Sequence, residues 1–407
     1  MRNRTLTTIT VVVTAGALAL SGCSSSKKKS GGGGLGGGSS ANTGGANKTY
    51  TLGFIGALSG PNAQLGINEK QGATLAIDQA NSSGKYKFKI ALDSQDSEGK
   101  AATAPAAATA LISNNAVIGV IGPAFSGESL AVNKSFCGAS PSMPIVTASA
   151  SKATLQEQGW SCWHRIIPND NVEGSQGADW LARTGAKKVF VLSDKSPYGQ
   201  GVSDTVAKEL QAKGVSVTVG GVDGTTTKNY GPIAQTIKSS GTDAMFYGGY
   251  DAQAALLARA LQAAGYQGRT VSGNGSKDSV FEKNAGSAGN GWYFTCGCQD
   301  ATTAAPAKAF AAAYQTAFKQ PPSTYSPEAY DAANLFITVI DKIVSGGGTP
   351  SRDTIMAGLK TADYPGITTQ IKFQANGEVE STSLIVNLFT EKNLHITGLG
   401  NIKEISK

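Results

Sequence analysis

Apolar and polar positions first fall into a repeating order near Tyr50. A strand-like run, Thr51 to Leu58, leads into Ile67 to Ala80, where Ala73, Ala76, Ile77 and Ala80 share one helical face. Short apolar runs recur at Lys87 to Leu92, Val117 to Gly122, Pro144 to Thr147, Lys188 to Ser193, Val215 to Val222, Ala244 to Tyr250 and Thr270 to Gly273, with helical stretches between most of them. Among these stretches Val202, Val206 and Leu210 form an apolar stripe, and Asp251 to Ala264 is rich in alanine and leucine. Strands joined through helices make parallel sheets covered by helices, and such sheets bind ligands at the carboxyl ends of their strands. Towards the end the order changes: Ile371 to Ala375 and Glu378 to Phe389 flank Asn376-Gly377, a two-residue hairpin signal. The pattern predicts an α/β fold. Its roughly 355 residues exceed what one hydrophobic core usually spans, so two lobes are expected.

The first fifty residues obey other rules. Arg2 and Arg4, the uncharged stretch Thr5 to Leu20 and the small residues before Cys23 give the basic, apolar, small-residue order of a secretory signal. The uncharged stretch is shorter than the roughly 20 apolar residues of a membrane-spanning helix. Leu20-Ser21-Gly22-Cys23 resembles the bacterial lipobox, which implies removal of residues 1–22, a diacylglyceryl group on Cys23 and an extracytoplasmic place on the cell membrane. From Ser24 to Lys48, Leu35 is the only large apolar residue, so residues 23–49 read as a lipidated cysteine followed by a flexible tether. Lys27, Lys28 and Lys29 read as a solvated charge run, with contact to anionic headgroups as the alternative.

Charge then narrows the partners. The formal net charge of +7 falls to +1 once Arg2, Arg4, Lys27, Lys28, Lys29 and Lys48 are set aside. No basic stripe interleaved with aromatics occurs, and no nucleic-acid partner is expected. Four cysteines remain besides Cys23, and an exported chain permits disulfides among them. Three pairings are open; the expected one joins Cys137 to Cys162 and Cys296 to Cys298. Cys296-Gly297-Cys298 alone would also suit a metal or redox site, but the only histidines are His164 and His395 and there is no second close cysteine pair. No metal and no cofactor are expected. Nor is catalysis: Ala285-Gly286-Ser287-Ala288-Gly289 lacks the first glycine of a nucleophile elbow, no HExxH occurs, and Gly273-Asn274-Gly275 lacks the third glycine of a dinucleotide fingerprint.

Several strand ends carry small hydroxyl residues where a doubly wound sheet holds its ligand. Ser126 follows Val117 to Gly122 and stands before a helical stretch, Glu128 to Phe136, where free N–H groups and a hydroxyl suit a carboxylate; capping its own helix is the alternative. Ser149 and Ser151 follow Pro144 to Thr147, and Tyr198-Gly199 follows Lys188 to Ser193. Tyr250 ends another run, placed to wall a site or simply to pack.

Gly56-Ala57-Leu58-Ser59-Gly60-Pro61, Tyr198-Gly199 and Tyr247-Gly248-Gly249-Tyr250 resemble the leucine/isoleucine/valine-binding protein family, over nearly all of Tyr50 to Lys407. The resemblance implies a type I periplasmic binding fold: two Rossmann-like lobes with mostly parallel central sheets, joined by three crossovers near Asn169, Gln299 and Ile385. Lobe 1 would then hold residues 50–169 and 299–385, and lobe 2 residues 170–298 and 386–407. It also implies a monomer that captures an amino acid or similar small polar solute and passes it to the permease subunits of an ABC importer. By position, Ser126 would hold the ligand carboxylate, Ser149 would offer backbone groups and Ser151 its hydroxyl and backbone. Tyr198 and Tyr250 would close over the ligand, and Tyr325 stands where the family has an aromatic at the cleft mouth. The sequence departs from the family twice. Asn274 replaces the carboxylate that receives the ligand ammonium, with Asp251, Asp278 or Glu328 as substitutes to consider, and Leu65 replaces an aromatic wall residue. A sensing receptor of the same fold is the alternative function.

Overall fold

The computed structural model describes residues 48–380 and 384–405; the signal segment, Cys23 and the tether up to residue 47 lie outside the described residues. The chain first lays down β1 (Lys48–Gly56), α1 (Ala63–Ser82), β2 (Phe88–Asp96), α2 (Ala104–Ser113), β3 (Val117–Ile121), α3 (Ser126–Gly138), β4 (Ile145–Thr147) and β5 (Trp163–Arg165). These strands form one parallel sheet in the order β2-β1-β3-β4-β5. Lys48 and Thr49, assigned to the tether by composition, belong to β1, because they pair in register with Phe88 and Lys89. The apolar run of β3 is buried along its whole length, as a central strand covered on both faces requires.

A second series follows: α4 (Asp170–Arg183), β6 (Lys188–Ser193), α5 (Pro197–Ala212), β7 (Ser216–Gly221), α6 (Gly231–Ser239), β8 (Ala244–Gly248), α7 (Asp251–Ala264), β9 (Arg269–Ser272), α8 (Ser279–Ala285) and β10 (Tyr293–Cys296). Its strands pair in the order β7-β6-β8-β9-β10, which repeats the topology of the first sheet. The helices follow local rules. Ser196 accepts the Gly199 N–H at 2.9 Å ahead of Pro197, a favoured first helical residue, and Gly265 ends α7 with φ +72. Val202, Val206 and Leu210 are fully buried beneath α5.

The chain then returns to the first sheet with α9 (Lys308–Phe318), α10 (Ser326–Ser345) and α11 (Arg352–Lys360), adds a small pair, β11 (Asp363–Pro365) and β12 (Gln370–Lys372), and crosses back to the second. There β13 (Asn387–Glu391) pairs antiparallel with β10, and β14 (Ile396–Asn401) with β13. Helix α10 lies against α1, and Gly72 makes the approach possible: a Cβ there would stand 2.0 Å from the Ser326 carbonyl oxygen. The structure joins Cys137 to Cys162 and Cys296 to Cys298, with Cα separations of 5.2 and 5.0 Å.

The expected hairpin forms only at its turn. Gly377 takes φ +84, and Phe373 bridges Val379, but Glu378 to Phe389 is not one strand. Glu378 bridges Arg165 of the first sheet, whereas Asn387 onwards belongs to the second. The apolar pattern is shared by two strand ends that serve different sheets, and periodicity alone cannot see the crossing between them.

Candidate functional site

Both sheets have the order 2-1-3-4-5 in their own parallel strands, and an open α/β sheet binds ligands outside its carboxyl ends where the strand order reverses. In this chain the two sets of carboxyl ends face each other. Leu65 follows β1, Ala124, Phe125 and Ser126 follow β3, and Ser149 and Ser151 follow β4; from the other side Tyr198 follows β6, Tyr250 follows β8 and Asn274 follows β9. These residues line one cavity of about 10 Å³, room for roughly one water molecule. A hollow of about 610 Å³ at the opposite, amino ends of β8 to β10 is larger but lies away from every strand end that carries these groups.

Each residue on the first side has a definite role in hydrogen bonding. Ser126 does not cap its own helix: its hydroxyl oxygen accepts the Lys152 N–H at 3.1 Å, which leaves the hydroxyl hydrogen free for an incoming acceptor. The Ser149 hydroxyl donates to the Ala124 carbonyl at 2.6 Å, so only its backbone remains for a ligand. Ser151 is 1% exposed, and its hydroxyl oxygen has no partner. Arg165, wholly buried, braces the loop that carries these serines. Its Nη1 donates to the Ala150 and Lys152 carbonyls at 3.0 and 2.9 Å, and its Nε donates to Glu378 at 3.1 Å. The Asn376-Gly377 turn thereby serves the site, because it presents Glu378 to Arg165.

The second side is aromatic. The Tyr250 ring stands 5.4 Å from Tyr198 and 5.2 Å from Phe125, so the stack reaches across the lobes. The Tyr198 hydroxyl accepts the Gly275 N–H at 3.1 Å. Behind Asn274 stands a carboxylate. The Asn274 N–H and side-chain amide donate to Glu173 at 3.0 and 2.6 Å, and the Thr295 hydroxyl and Gly297 N–H donate to the same group at 2.9 and 3.4 Å. Burial nevertheless raises the Glu173 carboxyl above its ordinary value, with the Asn274 and Thr295 bonds opposing the rise. One turn earlier, Asp170 is fully buried and neither carboxylate oxygen has a partner. Burial pushes it up to about 7.

The remaining candidates lie elsewhere. Tyr325 is outside the lining but buried, in a left-handed backbone conformation (φ 64) that a bulky residue rarely adopts, with its hydroxyl unpartnered. Asp251 begins α7 and Asp278 caps α8, and each receives backbone N–H bonds there. Glu328 accepts the Gln299 N–H at 2.7 Å. None of these three lines the cavity. Among the described residues no cluster of histidine, cysteine and carboxylate side chains is arranged to hold a metal ion.

Sequence reasoning missed Asp170, Glu173, Phe125 and the brace from Arg165 to Glu378. Asn169 followed by two acids in the first helical turn is the ordinary signature of a helix start, and Asn169 does cap α4. Nothing in that signature distinguishes acids facing solvent from acids facing a cleft.

A crevice between two copies of one open α/β topology, lined by hydroxyls on one side and aromatics on the other, defines a two-lobe binding protein. The chain belongs to the periplasmic binding protein family, whose model matches residues 49–391. It is 26% identical over 341 residues to a Leu/Ile/Val-binding protein of Rhizobium johnstonii, covering 83% of this chain and 91% of that one. Two solved structures share its fold. One is a branched-chain amino acid transporter substrate-binding protein of Streptococcus pneumoniae in complex with isoleucine (TM-score 0.77, 24% identity, 86% of this chain and 98% of that one). The other is a solute-binding protein of R. palustris in complex with benzoate (TM-score 0.76, 20% identity, 87% and 96%). The family is extracytoplasmic. No described helix is long and apolar enough to cross a membrane.

Proposed function

We propose that this chain is the solute-binding lipoprotein of an ABC importer, held to the membrane through Cys23, and that it captures an amino acid or a related small carboxylate without altering it. Lobe 1 comprises residues 48–169 and 299–385, and lobe 2 residues 170–298 and 386–407. The observation that carries the reading is the convergence of Ser126, Ser149 and Ser151 with Tyr198, Tyr250 and Asn274 on one cavity. A free hydroxyl hydrogen on Ser126 and an unpartnered Ser151 hydroxyl suit a carboxylate, and the aromatic stack suits an apolar or planar side chain. Any solute larger than water needs the lobes to part before it can enter, so capture proceeds by opening and closure about the three crossovers. The closed form is the one the permease would recognise.

Thermal unfolding of the chain in the presence of amino acids, their amides and small carboxylates tests this reading. A ligand at 100 times its dissociation constant adds about 2.7 kcal/mol of stability. A stabilised midpoint for at least one carboxylate supports the proposal; an unchanged midpoint across the series refutes it.

A further inference from the structure

Beside the cleft, elements of the two sheets are tied together by a small group of buried polar side chains. Lys277 and Asp278 form the link between β9 and α8, on the side of the second sheet. Asp278 divides its carboxylate between the two sides. One oxygen accepts the Ser279 hydroxyl and the Val280 N–H of its own helix, at 3.1 and 3.3 Å. The other accepts Asn68 Nδ2 of α1 at 2.7 Å and the Ser323 hydroxyl, ahead of α10, at 3.3 Å. Asn68 is fixed for this bond, because its amide oxygen accepts Gln64 Nε2 at 2.9 Å. Lys277 Nζ donates to the Thr324 hydroxyl at 3.1 Å and stands 4.2 Å from the centre of the Phe389 ring, and the Thr324 hydroxyl donates in turn to the Lys277 carbonyl. Asn68, Lys277, Asp278 and Thr324 are all buried. Among the described residues, the only other side-chain hydrogen bond between the two sides away from the crossovers runs from Lys152 Nζ to the Pro197 carbonyl at 3.3 Å. None of the tied residues lines the cleft cavity, although Leu65, three positions before Asn68, and Asn274, three before Lys277, both do.

We propose that Asn68, Ser323 and Thr324, closing on Lys277 and Asp278, form a latch that sets how long the cleft stays shut and so governs release of the solute without touching it. This rests on capture by closure, the function proposed above, and names the contacts that hold the closed form. The cavity has room for about one water molecule, so a larger solute leaves only when the lobes part. Parting them strips Asp278 of Asn68 and Ser323 and Lys277 of Thr324, while the bonds from Asp278 to its own helix survive. Each lost bond involves a charged group, which makes it stronger than a neutral one even against water. Hydration of the two charges favours opening and the bonds favour closure, so the latch is a balance rather than a lock. Removing a donor while the acid stays buried tilts that balance towards opening.

Stopped-flow kinetics of the full chain with leucine, isoleucine, valine, alanine and benzoate test the latch. Asn68→Ala leaves Asp278 buried without its nearest donor across the cleft. It should raise the dissociation rate about 10- to 100-fold, the value of a hydrogen bond to a charged group. The association rate should stay within about threefold, because the solute enters the open form. The factor should be the same for every probe that binds, since the latch meets none of them. Thr324→Val, close in shape but without the hydroxyl, should act in the same direction, and it keeps the test open should Asn68→Ala fail to fold. An unchanged dissociation rate in either folded variant, a loss carried by association, or a factor that differs between probes by more than about threefold overturns the proposal and leaves the binding function standing. If no probe binds, the proposed function fails by itself, and small-angle scattering of the ligand-free chain decides the latch. A larger radius of gyration in Asn68→Ala combined with Thr324→Val than in the wild type then supports it, and equal radii overturn it.

Discussion

The two walls of the cleft are built on different principles. The first-sheet wall offers hydroxyls on a loop braced from behind by a buried ion pair, and its polar groups face the cavity directly. The second-sheet wall offers aromatic rings and an amide whose polar capacity is turned inwards, onto Glu173. On the proposed function, a ligand carboxylate would sit on the first wall and its hydrophobic part against the second. One side offers hydrogen-bonding groups, the other contact area.

Perturbing each wall should therefore give different losses. The largest is expected from Ser126→Ala combined with Ser151→Ala. Two bonds to a charged carboxylate are worth about 3 to 6 kcal/mol together, so calorimetry should show affinity falling by at least about 100-fold with the melting midpoint of the free protein nearly unchanged. Affinity retained in that variant would move the carboxylate off the first wall. Glu378→Ala removes the brace and leaves Arg165 buried without its partner; denaturant unfolding should show about 3 to 5 kcal/mol lost. A loss under about 1 kcal/mol would mean the loop stands without it.

On the second wall, a carboxylate at residue 274 looks from sequence alone like the restoration of a missing countercharge. In the structure Asn274→Glu sets one buried carboxylate against another, and it should lower both stability and affinity. The exchanged pair Glu173→Gln with Asn274→Glu should recover most of the stability, since it returns a donor and an acceptor to the same contact. Failure of the exchange to recover stability would show that the Thr295 and Gly297 donors, not the contact with residue 274, require a carboxylate at residue 173. The smallest effect is on pH dependence. Glu69, buried beneath the first wall with both oxygens unpartnered, is raised by burial from 4.5 to about 8. The folded state thus holds this proton more tightly than the unfolded one. Its contribution is present in full below the unfolded value and is lost as pH rises through about 8. Melting midpoints between about pH 5 and about pH 9 should fall less steeply in Glu69→Gln than in the wild type; parallel slopes would assign the dependence to the other acids that burial raises, Glu328 to about 8 and Glu128 and Asp170 to about 7.

The architecture was legible because its strands are short, apolar and regularly separated. Lys188–Ser193 and Asp251–Ala264 have the bounds that periodicity gives them. Strands β5 and β10 escaped although β4 and β9 are as short and did not: Trp163-His164-Arg165 and Tyr293-Phe294-Thr295-Cys296 contain none of the aliphatic residues that mark β4 and β9, and β13 was hidden in a run that crosses between sheets. The strand-end residues of the site were legible for a topological reason, since any doubly wound sheet presents those positions. The acids were not. Glu69 sits in mid-helix one turn from Leu65, and Asp170 and Glu173 look like helix-start residues; only tertiary packing reveals that all three are buried.

The central claim is that a single solute bridges both walls. Its most direct test is the titration of the chain with its best-binding amino acid, repeated on one variant from each side, Ser151→Ala and Tyr250→Ala. The account predicts one site per chain in the wild type and a loss of affinity in both variants; full affinity in either variant would contradict it.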